Sequence, residues 1–362
     1  TNDTTPVLTG TAEAGATVTV FNGATAIGTA VAGTNGTFTL TPTTALGEGA
    51  NTLTVTATDV AGNTSAASAG VNLTIDTHAP NVPTLTGQNG PVGTATPTLT
   101  GTADAGTTVT VYDNGAPIGT AIAGTNGTFT LTPTTALGEG ANSLTVTATD
   151  AAGNVSAASA GVNLTVDTMA PGTPSLTGLP VATHDTTPVL TGMAEAGATV
   201  TVFKGAMAIG TAVAGTEGTF TLTPTVALTE GANTLTVTAT DVAGNTSAAS
   251  AGVNLTIDTL APNVPTLTGQ NGPVDTATPT LTATADAGTT GTFYDNAAPI
   301  GTAIAGTNGT FTLTPTPALG EGANPLTSPA TDAAGNVSLA AGTNLTIDTA
   351  APGAPSLTAP GL

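Results

Sequence analysis

The sequence predicts an all-β protein, a linear array of four Greek-key β-sandwich domains. Three observations carry this: a long internal repeat, short runs of alternating residues, and a composition hostile to helices. The string Ala-Thr-Asp-x-Ala-Gly-Asn recurs with its Asp at Asp59, Asp150, Asp241 and Asp332, 91 residues apart each time in a chain of 362. That period is too long for a solenoid coil and suits one sandwich domain. Gly and Pro (47 and 25 residues) make up about a fifth of the chain and aromatics only 2%. Such a chain favours strands and turns over helices.

The elements are legible in order within the second copy. Thr98-Leu99-Thr100 leads into a turn at Ala103 to Gly106, then Val109-Thr110-Val111-Tyr112, Ile118 to Ile122 and Thr128-Phe129-Thr130-Leu131. Leu144 to Thr147 and Val162 to Val166 complete the set. Apolar residues alternate with Thr, and Gly, Pro, Asn and Asp separate the runs. About seven strands in about 90 residues is the count of a Greek-key sandwich. The predicted domains are 1–76, 77–167, 168–258 and 259–348, with a tail at 349–362. Copies one and three match best (DTTPVLTG at Asp3 and again at Asp185), as do copies two and four, so a 182-residue pair has been duplicated. Two repeated aromatic sets, Phe21/Tyr112/Phe203/Tyr294 and Phe38/Phe129/Phe220/Phe311, are both expected inside the sandwiches, with Phe293 as an extra.

Composition excludes several functions. There are 22 Asp and Glu against one basic residue, Lys204, for a net charge of -21. Nucleic-acid binding and docking on anionic lipid both need cationic side chains. No apolar run reaches transmembrane length, so no membrane insertion is expected. With no Cys and two unrelated His, His78 and His184, a nucleophilic or acid–base centre is hard to build, and a non-enzymatic role is expected. It reads as a mature product or a piece of something longer.

Three motifs in fixed order, four times over, give a family resemblance. They are Gly-Thr-Ala-Asp-Ala-Gly-Thr-Thr-Val-Thr-Val from Gly101, Ala-Thr-Asp-Ala-Ala-Gly-Asn from Ala148, and Asp-Thr-x-Ala-Pro from Asp76, Asp167, Asp258 and Asp348. The chain resembles the tandem bacterial Ig-like domains of giant repetitive surface adhesins. The resemblance implies an extracellular location on a bacterial cell surface after type I secretion, calcium near the domain junctions, and a spacer role in adhesion or biofilm formation.

In Ig topology the B–C and F–G loops lie at the end where the chain enters, so the linker Asp should approach both loops of the next domain. Three clusters are expected: Asp76 with Asp104 and Asp150; Asp167 with Glu195 and Asp241; Asp258 with Asp286 and Asp332. Three carboxylates without a basic neighbour repel unless a cation intervenes. Calcium suits oxygen ligands in irregular loops, and backbone carbonyls at Asn154, Asn245 and Asn336 could add to the set. Glu13 and Asp59 form a half-site without a linker acid, and Asp348 a linker acid without loops. Glu48, Glu139, Glu230 and Glu321 are expected to cap or solvate their own turns.

Two departures from the repeat carry expectations. Copy four has Pro325, Pro329 and Gly291 where copy two has Ser143, Thr147 and Val109, and should be the weakest. Copy one lacks a first strand, while Pro355-Ser356-Leu357-Thr358 at the tail matches the first strand of copy three, Pro174 to Thr177. Beyond neighbouring repeats, then, other copies of the chain are candidate partners. The alternative to a spacer is a subunit of an extracellular filament or surface layer joined head-to-tail by strand donation.

Overall fold

The computed structural model describes residues 1–87, 90–269 and 272–358. The chain divides into two compact units, Thr1–Met169 and Ala170–Leu362, each holding two sandwiches. No helix occurs among the described residues, and none is long and apolar enough to cross a membrane.

The second repeat shows the plan. Its strands are β1 (Thr84–Leu85), β2 (Leu99–Thr102), β3 (Thr108–Asp113), β4 (Ala116–Ile122), β5 (Thr128–Leu131), β6 (Gly140–Thr149) and β7 (Val162–Val166). One sheet runs β5-β2-β1 and the other β4-β3-β6-β7. Val92 then bridges Val166 in parallel, so the entering chain crosses from one sheet to the other. Leu99, Val109, Val111, Phe129, Leu144, Val146 and Leu164 fill the space between, each at most 3% exposed. The alternating Thr residues face outward, as period two requires. The β3–β4 hairpin closes on Asn114-Gly115, whose φ angles of 48° and 85° are those of the tight turn matching the strand twist.

One aromatic expectation is corrected. Phe38, Phe129, Phe220 and Phe311 are buried, but Phe21, Tyr112, Phe203 and Tyr294 are only half-buried. Each follows a core residue (Val20, Val111, Val202, Phe293), so alternation turns it to the sheet's outer face. There Tyr112 lies opposite Thr145 and Pro117.

The fourth repeat is altered, and the alterations offset one another. Pro329 splits the sixth strand into Gly322–Ser328 and Ala330–Thr331. Its pairing with the third strand falls to Tyr294↔Thr327, Asp295↔Leu326, Thr290↔Thr331 and Gly291↔Ala330. In exchange the last strand lengthens to Ala341–Ile347 and pairs along all of Gly322–Ser328. Gly291 leaves no void. A Cβ there would lie 2.2 Å from the Phe311 ring, which occupies that space and packs on Phe293 at 5.5 Å between centroids. In the first three repeats the corresponding aromatic ring packs over Gly10, Gly101 or Gly192 instead. The fourth repeat has Ala283 at that position. The expected loss of a core side chain at Gly291 is therefore compensated by repacking.

Candidate junction site

The acids expected at the junctions sit in loops built by the strands just described. As β6 ends, Asp150 N donates to the Asn154 carbonyl (3.1 Å), and Gly153, at φ 96°, turns the chain back. The Asp150 carboxylate accepts from Asn154 N (2.9 Å) and Nδ2 (2.8 Å), and this amide holds its carboxyl below the usual range. The second Nδ2 hydrogen reaches across the junction to the backbone carbonyl of Asp76 (2.8 Å). Asn154 is 9% exposed. Its side chain donates on both sides and its own carbonyl accepts Asp150 N, so it acts as a clamp at the junction.

The linker itself is strapped at both ends. On the first repeat's side, Glu48 accepts from Thr77 N (3.1 Å), Thr77 Oγ1 (2.8 Å) and His78 Nδ1 (3.1 Å), which lowers its pKa, Thr77 Oγ1 contributing most. The Asp76 carboxylate accepts from His78 N (3.1 Å). On the second repeat's side, Asp104 accepts from Asn81 N (2.8 Å) and Nδ2 (3.0 Å), which pull its pKa down. Ligand atoms of Glu48, Asp76 and His78 lie within 4.8 Å of one another. Neither Asp76/Asp104/Asp150 nor Asp258/Asp286/Asp332 forms such a group among the described residues. In both sets amide hydrogens engage the loop carboxylates: Asn81 donates to Asp104, Asn154 to Asp150, Asn263 to Asp286 and Asn336 to Asp332.

The second unit repeats the arrangement between its two sandwiches. Asn336 Nδ2 donates to the Asp258 carbonyl (2.7 Å) and to Asp332 (2.8 Å), whose carboxylate also accepts Asn336 N and Ala334 N at 2.9 Å. Burial pushes the Asp332 carboxyl up, but these donors outweigh it and its pKa is lowered. Glu230 accepts from Thr259 N (3.1 Å) and Oγ1 (2.8 Å), Asp258 from Leu260 N (3.1 Å), and Asp286 from Asn263 N (2.8 Å) and Nδ2 (3.0 Å). His184 adds a contact not anticipated: its N (3.2 Å) and its Nδ1 (2.8 Å) both donate to the Ala334 carbonyl.

Most of the other candidate carboxylates are also engaged by hydrogen bonds. Asp241 accepts from Asn245 N and Nδ2, both at 2.8 Å. Glu195 accepts Ala198 N through its backbone carbonyl and borders a shallow surface with Gly172. Gly172 holds the place of Asn81 and Asn263 and has no side chain to offer. Asp167 accepts Met169 N (3.2 Å), Glu139 takes Thr168, Asp348 accepts Ala350 N (3.3 Å), and Glu321 takes Thr349. Asp59 is already clamped by Asn63 N and Nδ2, both at 2.9 Å, and the Glu13 carbonyl accepts Ala16 N. All four pre-strand Glu thus cap the following linker Thr.

A family model described as a bacterial Ig-like domain matches residues 1–77, 85–168, 178–259 and 266–349. The chain belongs to the bacterial Ig-like domain family. These four bacterial Ig-like domains resemble several solved structures at low identity. A tetra-tandem repeat from the extending region of a large adhesion protein is 23% identical, with 96% of each chain covered and a TM-score of 0.33. The fibronectin(III)-like modules of Clostridium thermocellum CbhA are 17% identical over 48% of this chain and 94% of theirs, at 0.33. The BSP domain of a biofilm associated protein is 14% identical over 88% and 81%, at 0.22. No curated protein sequence matches the chain.

Proposed function

We propose that the chain is a non-enzymatic extender segment of a bacterial cell-surface adhesin, setting distance between a cell and its adhesion target or a biofilm neighbour. The observation that carries this reading is the use of the polar loop residues. In both units the Asp–Asn clamp, the Glu cap and the linker Asn spend their hydrogen bonds on joining one sandwich to the next. A chain whose specialised side chains serve its junctions is suited to transmit position and force.

Calcium stiffening is the second part of the proposal. The carboxylates of Glu48 and Asp76 offer oxygen ligands within 4.8 Å of each other on a surface of net charge -21, and hard oxygen donors fit this ion. His78 is a poor ligand for it and is peculiar to that linker; Met169, Leu260 and Ala350 stand elsewhere. Glu48 and Asp76 would hold the ion, which would offset their mutual repulsion and fix the linker. A cation that binds only the native state stabilises by mass action. Calcium titrated to millimolar levels is expected to raise the melting temperature, with the gain reduced in Glu48→Gln. An identical melt in calcium and in chelator removes calcium from the proposal.

A further inference from the structure

An Asn-Gly pair lets a chain modify itself without an enzyme. The glycine nitrogen attacks the Asn Cγ, a cyclic imide closes as ammonia leaves, and water opens the ring to Asp or isoaspartate. Glycine favours the attack because it has no side chain to obstruct the approach. Seven such pairs occur, at Asn22, Asn35, Asn89, Asn114, Asn126, Asn271 and Asn308. Asn89 and Asn271 lie outside the described residues.

The fold restrains four of the other five. Asn35, Asn126 and Asn308 sit in matching turns, where each Oδ1 accepts from the Thr two residues on, through N (3.1 Å) and Oγ1 (2.8 Å). The attacking nitrogens are engaged as well: Gly36, Gly127 and Gly309 donate to the Gly33, Gly124 and Gly306 carbonyls at 2.8–2.9 Å. Asn22 is half-buried. Its Nδ2 donates to Asn51 Oδ1 (2.7 Å), and Gly23 N donates to the Thr52 carbonyl (3.3 Å).

Asn114 is held differently. Asn114 and Gly115 are exposed at the tip of the β3–β4 hairpin, and β4 is the edge of its sheet. Gly115 N meets no acceptor and Asn114 Oδ1 no donor among the described residues. Only Asn114 Nδ2 is engaged, donating to the Asp113 carboxylate (2.9 Å), which leaves Cγ open to attack. A two-residue tip on a sheet edge frays at little cost, and fraying lets Asn114 leave its left-handed φ of 48° and bring Gly115 N to Cγ. The pair is peculiar to the second repeat: Gly23-Ala24, Gly205-Ala206 and Asn296-Ala297 stand there in the others. We propose that Asn114 is a self-deamidation site and the first of the described Asn-Gly pairs to react. The Gly115 nitrogen bonds to Cγ, the Cγ–Nδ2 bond breaks, and the glycine proton departs with the ammonia; water then opens the imide. The product places a new carboxylate beside Asp113, and its isoaspartyl form adds a methylene to the backbone of a tight turn. An aged chain thus carries a loosened β3–β4 hairpin in its second repeat. This goes beyond the extender reading, which stands whether or not Asn114 reacts.

The test incubates the whole folded chain in warm, mildly alkaline buffer and follows each pair by peptide mapping, which reads the mass gained when NH2 becomes OH. Loss of Asn114 is expected to outpace loss of Asn22, Asn35, Asn126 and Asn308 by ~10-fold or more, the scale of breaking one or two hydrogen bonds before the ring closes. It should accelerate with pH, because the attacking nitrogen must shed its proton. Hydrogen exchange over residues 108–122 should quicken as product accumulates. Asn296 is exposed in the matching hairpin tip, with Nδ2 on Asp295 (3.2 Å), so Ala297→Gly is expected to create a second fast site there. In concentrated urea the pairs should react alike. An Asn114 that survives as long as the other four in the folded chain overturns the proposal. So does a ranking that persists unchanged in urea, because local sequence and not the fold would then set it. An Asn296 that stays intact in Ala297→Gly while Asn114 reacts overturns it too, since the hairpin tip is then not what admits the attack.

Discussion

Ser328→Ala is expected to stabilise the fourth repeat. Ser328 is 0% exposed, and its Oγ has no hydrogen-bond partner among the described residues. Its counterparts in the second and third repeats are Val146 and Val237, also 0% exposed. A buried polar group left unsatisfied costs about 1–3 kcal/mol. Alanine removes that group and leaves a void of about one atom, which returns a few tenths of a kcal/mol. Valine is the poorer choice, because Phe293 stands where the second repeat has Val111 and the added methyls would crowd it. The net gain of about 1–2 kcal/mol corresponds to roughly 4–16 °C for a domain of this size. Calorimetry of the whole chain gives the shift, and hydrogen exchange assigns it to the fourth repeat. Val146→Ser is the converse and is expected to destabilise the second repeat. A neutral or harmful Ser328→Ala would mean the hydroxyl has a partner, and the packing argument for this repeat would fail.

Ala297 takes the place of Gly115 in the β3–β4 turn but at φ 66°, so Ala297→Gly is expected to stabilise the fourth repeat by about 1 kcal/mol in urea melts. Asn154→Ala removes a junction hydrogen bond and a partner of a carboxylate. It is expected to cost about 1–3 kcal/mol in the second repeat. The carboxyls of Asp59, Asp150, Asp241 and Asp332 all lie below their ordinary value in the fold. Their contribution is therefore complete above the unfolded pKa and is lost as pH falls through the folded one. Melting should hold steady near neutrality and fall below about pH 4, less steeply in Asp150→Asn.

Much of this was legible because the pattern is repeated. Alternation of Val and Thr around Val109 and Leu144 defines which face is buried. The same alternation, applied strictly at Tyr112, places that ring outside; grouping aromatics with the core ignored the phase. The position of the junction was legible, and so were its acids at Asp76, Asp104 and Asp150. The amide donors that Asn81 and Asn154 bring to those carboxylates were not. The signal was present in the Asn at 81 and 263, but which loop each would meet depends on how the linker enters the next sandwich. The compensation in the fourth repeat was also hidden. Gly291, Ala283, Phe293 and Ser328 are far apart in the chain and meet only in the packed core.

The extender role proposed above predicts an elongated particle in solution. Small-angle X-ray scattering in millimolar calcium tests it most directly. At about 35–45 Å per domain the array should reach roughly 140–180 Å, with a radius of gyration of about 40–50 Å. Chelator, or Asn154→Ala combined with Asn336→Ala, should shorten the maximum dimension and broaden the profile. A radius of gyration of about 21 Å, that of a compact globule of this length, would contradict the account.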